Sequence, residues 1–402
     1  MRNSIEIITD PARLREVVAE LMRAPRVSLD IEADGFYNYR DRVCIVTLSS
    51  EEVDVIVDTI AVGPAMTDLQ PLVERSNVPT LMHSGQNDVL ALKRDYKLEF
   101  GQVQDTSVAA SLLGMQHTGL AALVETYLGL TLEKELQRHD WSRRPIEPAH
   151  VAYLINDTRH LFKVHDMIME EVRKFELMDE YLIECRMVAD SEPREREFDP
   201  ERFRRIKGHG ELSDQQRGVL KALYAWRDEL ARTLDRASFR VMPDHALLEM
   251  ARSMPREADA LRTMRGIGEW ILAEHAQSLL DTIAGAEPSP FRAPRREEIE
   301  PAKRLDPRQR DRLGKLKRWR ETEAAKRGVG LQAVLPTSVM MDLILQPPQD
   351  ARELAEVPRV GTSRAERYGD QILRILHGRK TGRLTGRIPK PANPNPPVET
   401  NG

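Results

Sequence analysis

The chain has 402 residues, 31% of them charged and 5% aromatic, with a formal net charge of −4. That length is enough for two or three domains with separate cores. Residues 1–6 lack the apolar run of a secretory signal, and no stretch approaches the roughly 20 apolar residues of a membrane span, so a soluble cytoplasmic protein with no membrane partner is expected. Cys44 and Cys185 are the only cysteines; they make neither a disulfide framework nor a zinc set, and read as buried thiols. The small net charge hides an asymmetry. Residues 1–200 carry 22 Lys and Arg against 36 Asp and Glu, whereas residues 201–402 carry 38 against 28. An acidic half joined to a basic half suggests metal-dependent chemistry in the first and polyanion capture in the second.

Residues 5–9 read as a strand, and Asp10 caps a helix that opens at Pro11 and runs to about Met22. Residues 26–32 then form a strand in which Asp30 and Glu32 share one face while Val27, Leu29 and Ile31 share the other. Two carboxylates side by side in a buried strand call for a cation between them, and magnesium or manganese prefers carboxylate oxygen. An edge strand with two solvated acids is the plainer alternative. Residues 42–49 and 53–58 are β-branched runs separated by a polar turn, which predicts a hairpin. A helix near 65–75 and a short strand at 80–83 follow, giving an α/β sheet of mixed direction.

His83-Ser84-Gly85 ends that strand and places Asp88 in the first turn of the next helix, beyond the strand's carboxyl end, where open α/β sheets commonly bind ligands. Asp88 could equally be a helix-capping acid. Asp105 reads as the cap of the helix from Ser107 to Leu113. After a helix over 118–130, the loop 131–144 carries Lys134, Gln137, Arg138, Trp141, Arg143 and Arg144, a mixture suited to a nucleic-acid strand whose phosphates meet cations and whose bases stack on the indole. The alternative has Trp141 pinning the loop to the core. Pro148 then opens a long helix to about Phe175, with Tyr153 and Asp157 four residues apart on one face.

The basic half is helical from Glu211 to Ala284 and again from Arg308 to Leu376, and the parallel turns at Gly266/Gly268 and Gly361 suggest a duplicated small domain. Those glycines could admit phosphate at a helix start or simply allow tight turns. Arg310, Arg312, Lys315, Lys317, Arg318 and Arg320 make the denser basic helix, the best candidate for phosphate contact.

Leu29-Asp30-Ile31-Glu32-Ala33-Asp34, His83-Ser84-Gly85 with Asn87-Asp88, the run from Gln137 to Pro145, and Tyr153-Leu154-Ile155-Asn156-Asp157 together resemble the ribonuclease D family of four-acid 3′–5′ exoribonucleases. The two helical copies are similar to its helicase-and-RNase-D carboxy-terminal (HRDC) domains, the second more clearly through residues 354–358 and Tyr368-Gly369. The resemblance implies a ribonuclease H-like mixed sheet flanked by helices over residues 1–200 and two all-α HRDC-like domains over 205–290 and 305–380, while the Pro-, Gly- and Lys/Arg-rich composition of the end of the chain reads as a disordered tail over 381–402. The resemblance also implies an enzyme that trims the 3′ ends of RNA, tRNA precursors foremost, releasing nucleoside 5′-monophosphates; a monomer is expected, with the oligomeric state left open by the sequence. Asp30 would bridge two divalent ions, Mg²⁺ or Mn²⁺, with Glu32 and Asp157 completing the first site, Asp88 supporting the second and Tyr153 orienting the attacking water. A DNA exonuclease and an inactive nucleic-acid-binding scaffold stay open as alternatives.

Overall fold

The computed structural model describes residues 5–75, 78–132, 136, 138–194, 197–291 and 305–378. Lys134, Gln137 and the proposed tail over 381–402 lie outside these residues.

Six strands form one mixed sheet: β1 (Glu6–Ile8), β2 (Val27–Ala33), β3 (Val43–Ser49), β4 (Asp54–Asp58), β5 (Thr80–Met82) and β6 (Val103–Asp105), in the spatial order β1-β4-β3-β2-β5-β6. β2, β3 and β4 pair antiparallel, while β1 on β4, β5 on β2 and β6 on β5 are parallel. The sheet is wrapped by α1 (Pro11–Leu21), the short α2 (Thr59–Val62) and α3 (Gln70–Val73), α4 (Gln86–Tyr96), α5 (Thr106–Leu113), α6 (Leu120–Leu128), α7 (Pro148–Arg159), α8 (Leu161–Lys174) and α9 (Met178–Ala189). Asp10 caps α1 by accepting from the Ala12 N–H at 2.9 Å, as its position before Pro11 predicts.

Three departures from the expected elements stand out. The helix near 65–75 is a 3₁₀ turn over Gly63–Leu69 running into α3, because Pro71 would lack its backbone donor inside a continuous helix and is accommodated only at the start of a new one. The long helix from Pro148 is broken at His160, where the Thr158 carbonyl accepts from the Ser28 hydroxyl at 3.1 Å. A bulge sits in β3: Glu32 pairs with Ile45 but Ala33 pairs with Val43, leaving Cys44 unpaired in the ladder. Val43 therefore turns to the core under α1 while Cys44 and Ile45 face α7 and Trp141.

The first helical unit comprises α10 (Asp214–Thr233), α11 (Ser238–Val241), α12 (Asp244–Ser253), α13 (Ala258–Arg262) and α14 (Glu269–Ala284) around its own core of Leu220, Leu223, Leu247, Met250 and Leu279. The second comprises α15 (Pro307–Arg327), α16 (Leu331–Val334), α17 (Thr337–Leu345), α18 (Ala351–Glu356) and α19 (Gly361–His377). Duplication shows in their polar locks. The Trp226 indole N–H donates to Ser278 and that of Trp319 to Gln371, both at 2.9 Å and both 52 residues downstream. The following arginines repeat the device, Arg227 reaching the Met242 carbonyl and Asp244, and Arg320 the Leu335 carbonyl and Thr337.

The two copies attach differently. The second shares one continuous core with α5, α6, α8 and α9. At that joint the Gly330 N–H donates to the Leu112 carbonyl at 2.7 Å, and a Cβ on Gly330 would meet the Ser111 carbonyl oxygen at 2.0 Å. Gly361 is a packing and turning residue, at φ +69° and with its missing Cβ filled by Ile183. The first copy instead clasps the β2–β3 loop: Tyr39 donates to Asp228 at 2.8 Å, and Arg240 donates to the Phe36 carbonyl at 2.8 Å. No single helix among the described residues is long and apolar enough to cross a membrane.

Candidate active site

β2 places Ser28, Asp30 and Glu32 on the face that meets α7, while Val27 and Leu29 lie fully buried in the opposite core. α7 is fixed over them by its last turn. Thr158 accepts from Ser28 through its carbonyl and shares a 2.8 Å hydrogen bond with the Ser49 hydroxyl, and Arg159 forks onto Asp54 at 2.6 and 2.9 Å. The residue before that lock is Asp157. One carboxylate oxygen from each of Asp30, Glu32 and Asp157 lies within 4.8 Å of the other two.

Asp88 stands in the first turn of α4, as its place after His83-Ser84-Gly85 predicts. The turn that aims it is held by Asp105, whose carboxylate accepts from the N–H groups of Ser84 (3.0 Å) and Gly85 (2.8 Å) as well as from Ser107, which it caps. Sequence reasoning gave Asp105 only the cap; its second task depends on β5 and β6 lying side by side.

Electrostatics mark the cluster. Burial, then Asp88, Asp157 and Glu32, hold the Asp30 carboxyl well above the usual range. Burial, with Asp157 and Asp88 adding to it, pushes Glu32 up to about 8, and only the neighbouring Trp141 indole lowers it. Burial beside Asp105 pushes Asp88 up to about 7, and burial alone pushes Asp157 up to about 6. No Lys or Arg pairs with any of the four among the described residues. The three oxygen donors of Asp30, Glu32 and Asp157, grouped with no Lys or Arg between them, fit a hard divalent ion, whereas Asp88 lies outside that group and acts on Asp30 and Glu32 through its charge.

Tyr153, one turn before Asp157, borders the same cavity of about 580 Å³ as Asp30, Asp157 and His83. Burial and the surrounding carboxylates raise its hydroxyl above the ordinary tyrosine range, so it stays protonated. Its ring stacks on Trp141 at 5.8 Å and 26°. The opposite wall is the turn from Gln116 to Gly119 and the start of α6. Sequence reasoning gave this turn no role; the polar Gln116, His117 and Thr118 just ahead of an apolar helix were the available signal.

The other loop candidates divide. Trp141 is 2% exposed, packed on Ile45, Leu154 and Ile155, so it pins the loop and offers no face to a base. Arg144 is also structural. It forks onto Asp58 and gives its remaining donors to the carbonyls of Trp141, Arg143 and the bulged Cys44, the last at 3.1 Å. Arg138 and Arg318 are exposed, and Arg143 is exposed with a 3.1 Å bond to Asp140. Arg320 is buried, donating to the Leu335 carbonyl and the Thr337 hydroxyl, and leaves the basic face of α15.

A 3′–5′ exonuclease family model matches residues 5–173, and HRDC-domain models match 216–283 and 309–376. The ribonuclease D of Gluconacetobacter diazotrophicus is 27% identical over 93% of both chains, and that of Zymomonas mobilis is 31% identical over 70% of this chain and 72% of its own. The crystal structure of Escherichia coli RNase D superposes with a TM-score of 0.64 at 21% identity, covering 94% of this chain and 99% of that one. Sheet, helical domains and relatives define a 3′–5′ exoribonuclease, a hydrolase of RNA. The chain belongs to the ribonuclease D family.

Proposed function

We infer that the protein trims tRNA precursors, removing nucleoside 5′-monophosphates one at a time with two divalent ions held by Asp30, Glu32, Asp88 and Asp157. The observation that carries this reading is the uncompensated carboxylate cluster beside a cavity of about 580 Å³, a volume typical of small-ligand pockets. When bound, the ions supply Lewis-acid polarisation of the scissile phosphate and lower the pKa of the attacking water. The chain's own residues orient the reactants. Tyr153, kept protonated, holds the water through its hydroxyl and is not its base. The Ser28–Thr158 and Asp105–Gly85 bonds hold Asp157 and Asp88 at fixed places opposite β2. The exposed guanidinium groups of Arg138, Arg143 and Arg318 meet phosphates of the RNA.

The test is incubation with a 3′-extended tRNA and with single-stranded DNA of equal length, with and without Mg²⁺ or Mn²⁺. Metal-dependent one-nucleotide laddering from the RNA end is expected, and Asp157→Asn should abolish it. Equal or faster loss of the DNA would overturn the substrate assignment. Binding without cleavage of either would overturn the catalytic one.

A further inference from the structure

The clasp between the β2–β3 loop and the first helical unit leaves two aromatic rings largely in solvent. Phe36 is 43% and Phe239 50% exposed, with ring centroids 5.1 Å apart. A contact made only to hold two domains together would bury them. Two arginines flank the rings: Arg240 lies over Phe36 at 4.7 Å and over Tyr37 at 3.9 Å, and Arg138 approaches Phe36 at 6.0 Å. Neither guanidinium has a carboxylate partner among the described residues. Beside them opens a hollow of about 310 Å³ bordered by Tyr37, Arg138, His139 and Arg143. Tyr37 joins the two sides by donating to the Arg138 carbonyl at 2.6 Å.

This patch is connected to the acid cavity by rings in contact. Tyr153 borders the cavity and stacks on Trp141; Trp141 meets His139 edge-on at 4.9 Å; His139 borders the hollow. A strand whose 3′ end lies among the carboxylates leaves the cavity 5′-wards. Trp141 is buried beneath this path, so beyond Tyr153 such a strand can touch only the edge of His139, the cations of the hollow and then the exposed rings of Phe36 and Phe239.

We propose that Phe36, Phe239, Arg138 and Arg240 form a subsite for the single-stranded RNA further 5′, beyond the two nucleotides that flank the scissile linkage. The rings take a base and the guanidinium groups take its flanking phosphates. The proposal rests on the exonuclease reading above and adds to it a task for the first helical unit. Stacking on an aromatic ring tolerates every base, which suits an enzyme that must advance through any sequence. The subsite is thus a grip without sequence preference, placed where two domains meet.

Its test compares a dinucleotide, too short to leave the cavity, with a long unstructured oligoribonucleotide. Phe239→Ala should raise KM for the long RNA roughly ten-fold, leave its kcat in place, and leave dinucleotide turnover unchanged. Arg138→Ala should weaken binding of the long RNA and flatten the salt dependence of that binding by about 0.7 in log–log slope, the signature of one lost phosphate contact. An unchanged KM for the long RNA in Phe239→Ala, with wild type active, would reduce the rings to a domain clasp and overturn the proposal. Equal loss on both substrates would also overturn it, as general loosening. A wild type inactive on both with metal present would bring down the exonuclease reading, and this proposal with it.

Discussion

The hydroxyl of Ser28 donates to the main-chain carbonyl of Thr158 at 3.1 Å, tying the strand that carries Asp30 to the helix that carries Asp157. Both residues are fully buried. Ser28→Ala removes the side-chain donor to that carbonyl, which keeps only the His160 N–H at the helix end, and should destabilise the protein by about 1 kcal/mol in urea unfolding. Because the freed helix end is one residue from Asp157, kcat should fall while KM for RNA changes little. A stability loss with kcat intact would separate the bond from the site's geometry.

Trp141 gives the opposite kind of contrast. Trp141→Ala empties a buried site against Leu154 and Ile155, a change that costs about 3–5 kcal/mol, and withdraws the surface on which Tyr153 lies. Trp141→Phe keeps a stacked ring and should retain most of kcat. Affinity for single-stranded RNA should follow neither substitution, since the indole presents no face to solvent. A filter-binding or anisotropy titration on the two folded variants checks this.

Metal-free protein should lose stability as pH rises from about 4 to about 8. In the unfolded chain the carboxyls ionise near 4, whereas in the folded chain Asp157, Asp88 and Glu32 keep their protons to about 6, 7 and 8. Over that interval the native state binds more protons than the unfolded one, so each rise in pH favours unfolding. Divalent ions compete with those protons, so the rise in Tm on adding Mn²⁺ should be larger at pH 8 than at pH 6. Asp157→Asn removes one of the facing charges and should raise the metal-free Tm at pH 8 while shrinking the response to Mn²⁺. Thermal melts in EDTA and in Mn²⁺ give both readings.

Gly330→Ala places a methyl group 2.0 Å from the Ser111 carbonyl oxygen, at backbone rather than at a yielding side chain. The expected loss is about 3 kcal/mol, the upper end for overpacking. Gly210→Ala, whose Cβ meets nothing within 4 Å, is the control and should change stability little.

Much of the site was legible in the sequence because it depends on short periods. The two-residue alternation of β2 puts Asp30 and Glu32 together whatever surrounds them, and the four-residue step on α7 puts Tyr153 beside Asp157. The hairpin of β3 and β4 and the position of Asp88 follow from equally local patterns. What was not legible depends on partners far along the chain. The bulge at Cys44 looks like continuous alternation until the Arg144 guanidinium, a hundred residues on, is seen to take its carbonyl. The break at His160 needs Ser28, and the burial of Trp141 needs the face that the bulge creates. Arg144 and Arg143 are neighbours of identical type, and only the position of Asp58 makes one structural and leaves the other exposed.

The unequal seating of the two helical copies bears on how the chain comes apart. Leu316, Leu343, Ile372 and their neighbours lie in the same apolar mass as Ala109, Ile168 and Tyr181, whereas the residues around Leu220 and Met250 close on themselves. Heat should therefore divide the molecule out of sequence order. The middle segment can melt as a separate calorimetric transition, while the amino-terminal sheet and the carboxy-terminal helices are lost together. Two copies of one ancestral module have become a detachable arm and a structural buttress, and a swap of one for the other would succeed only at the middle position.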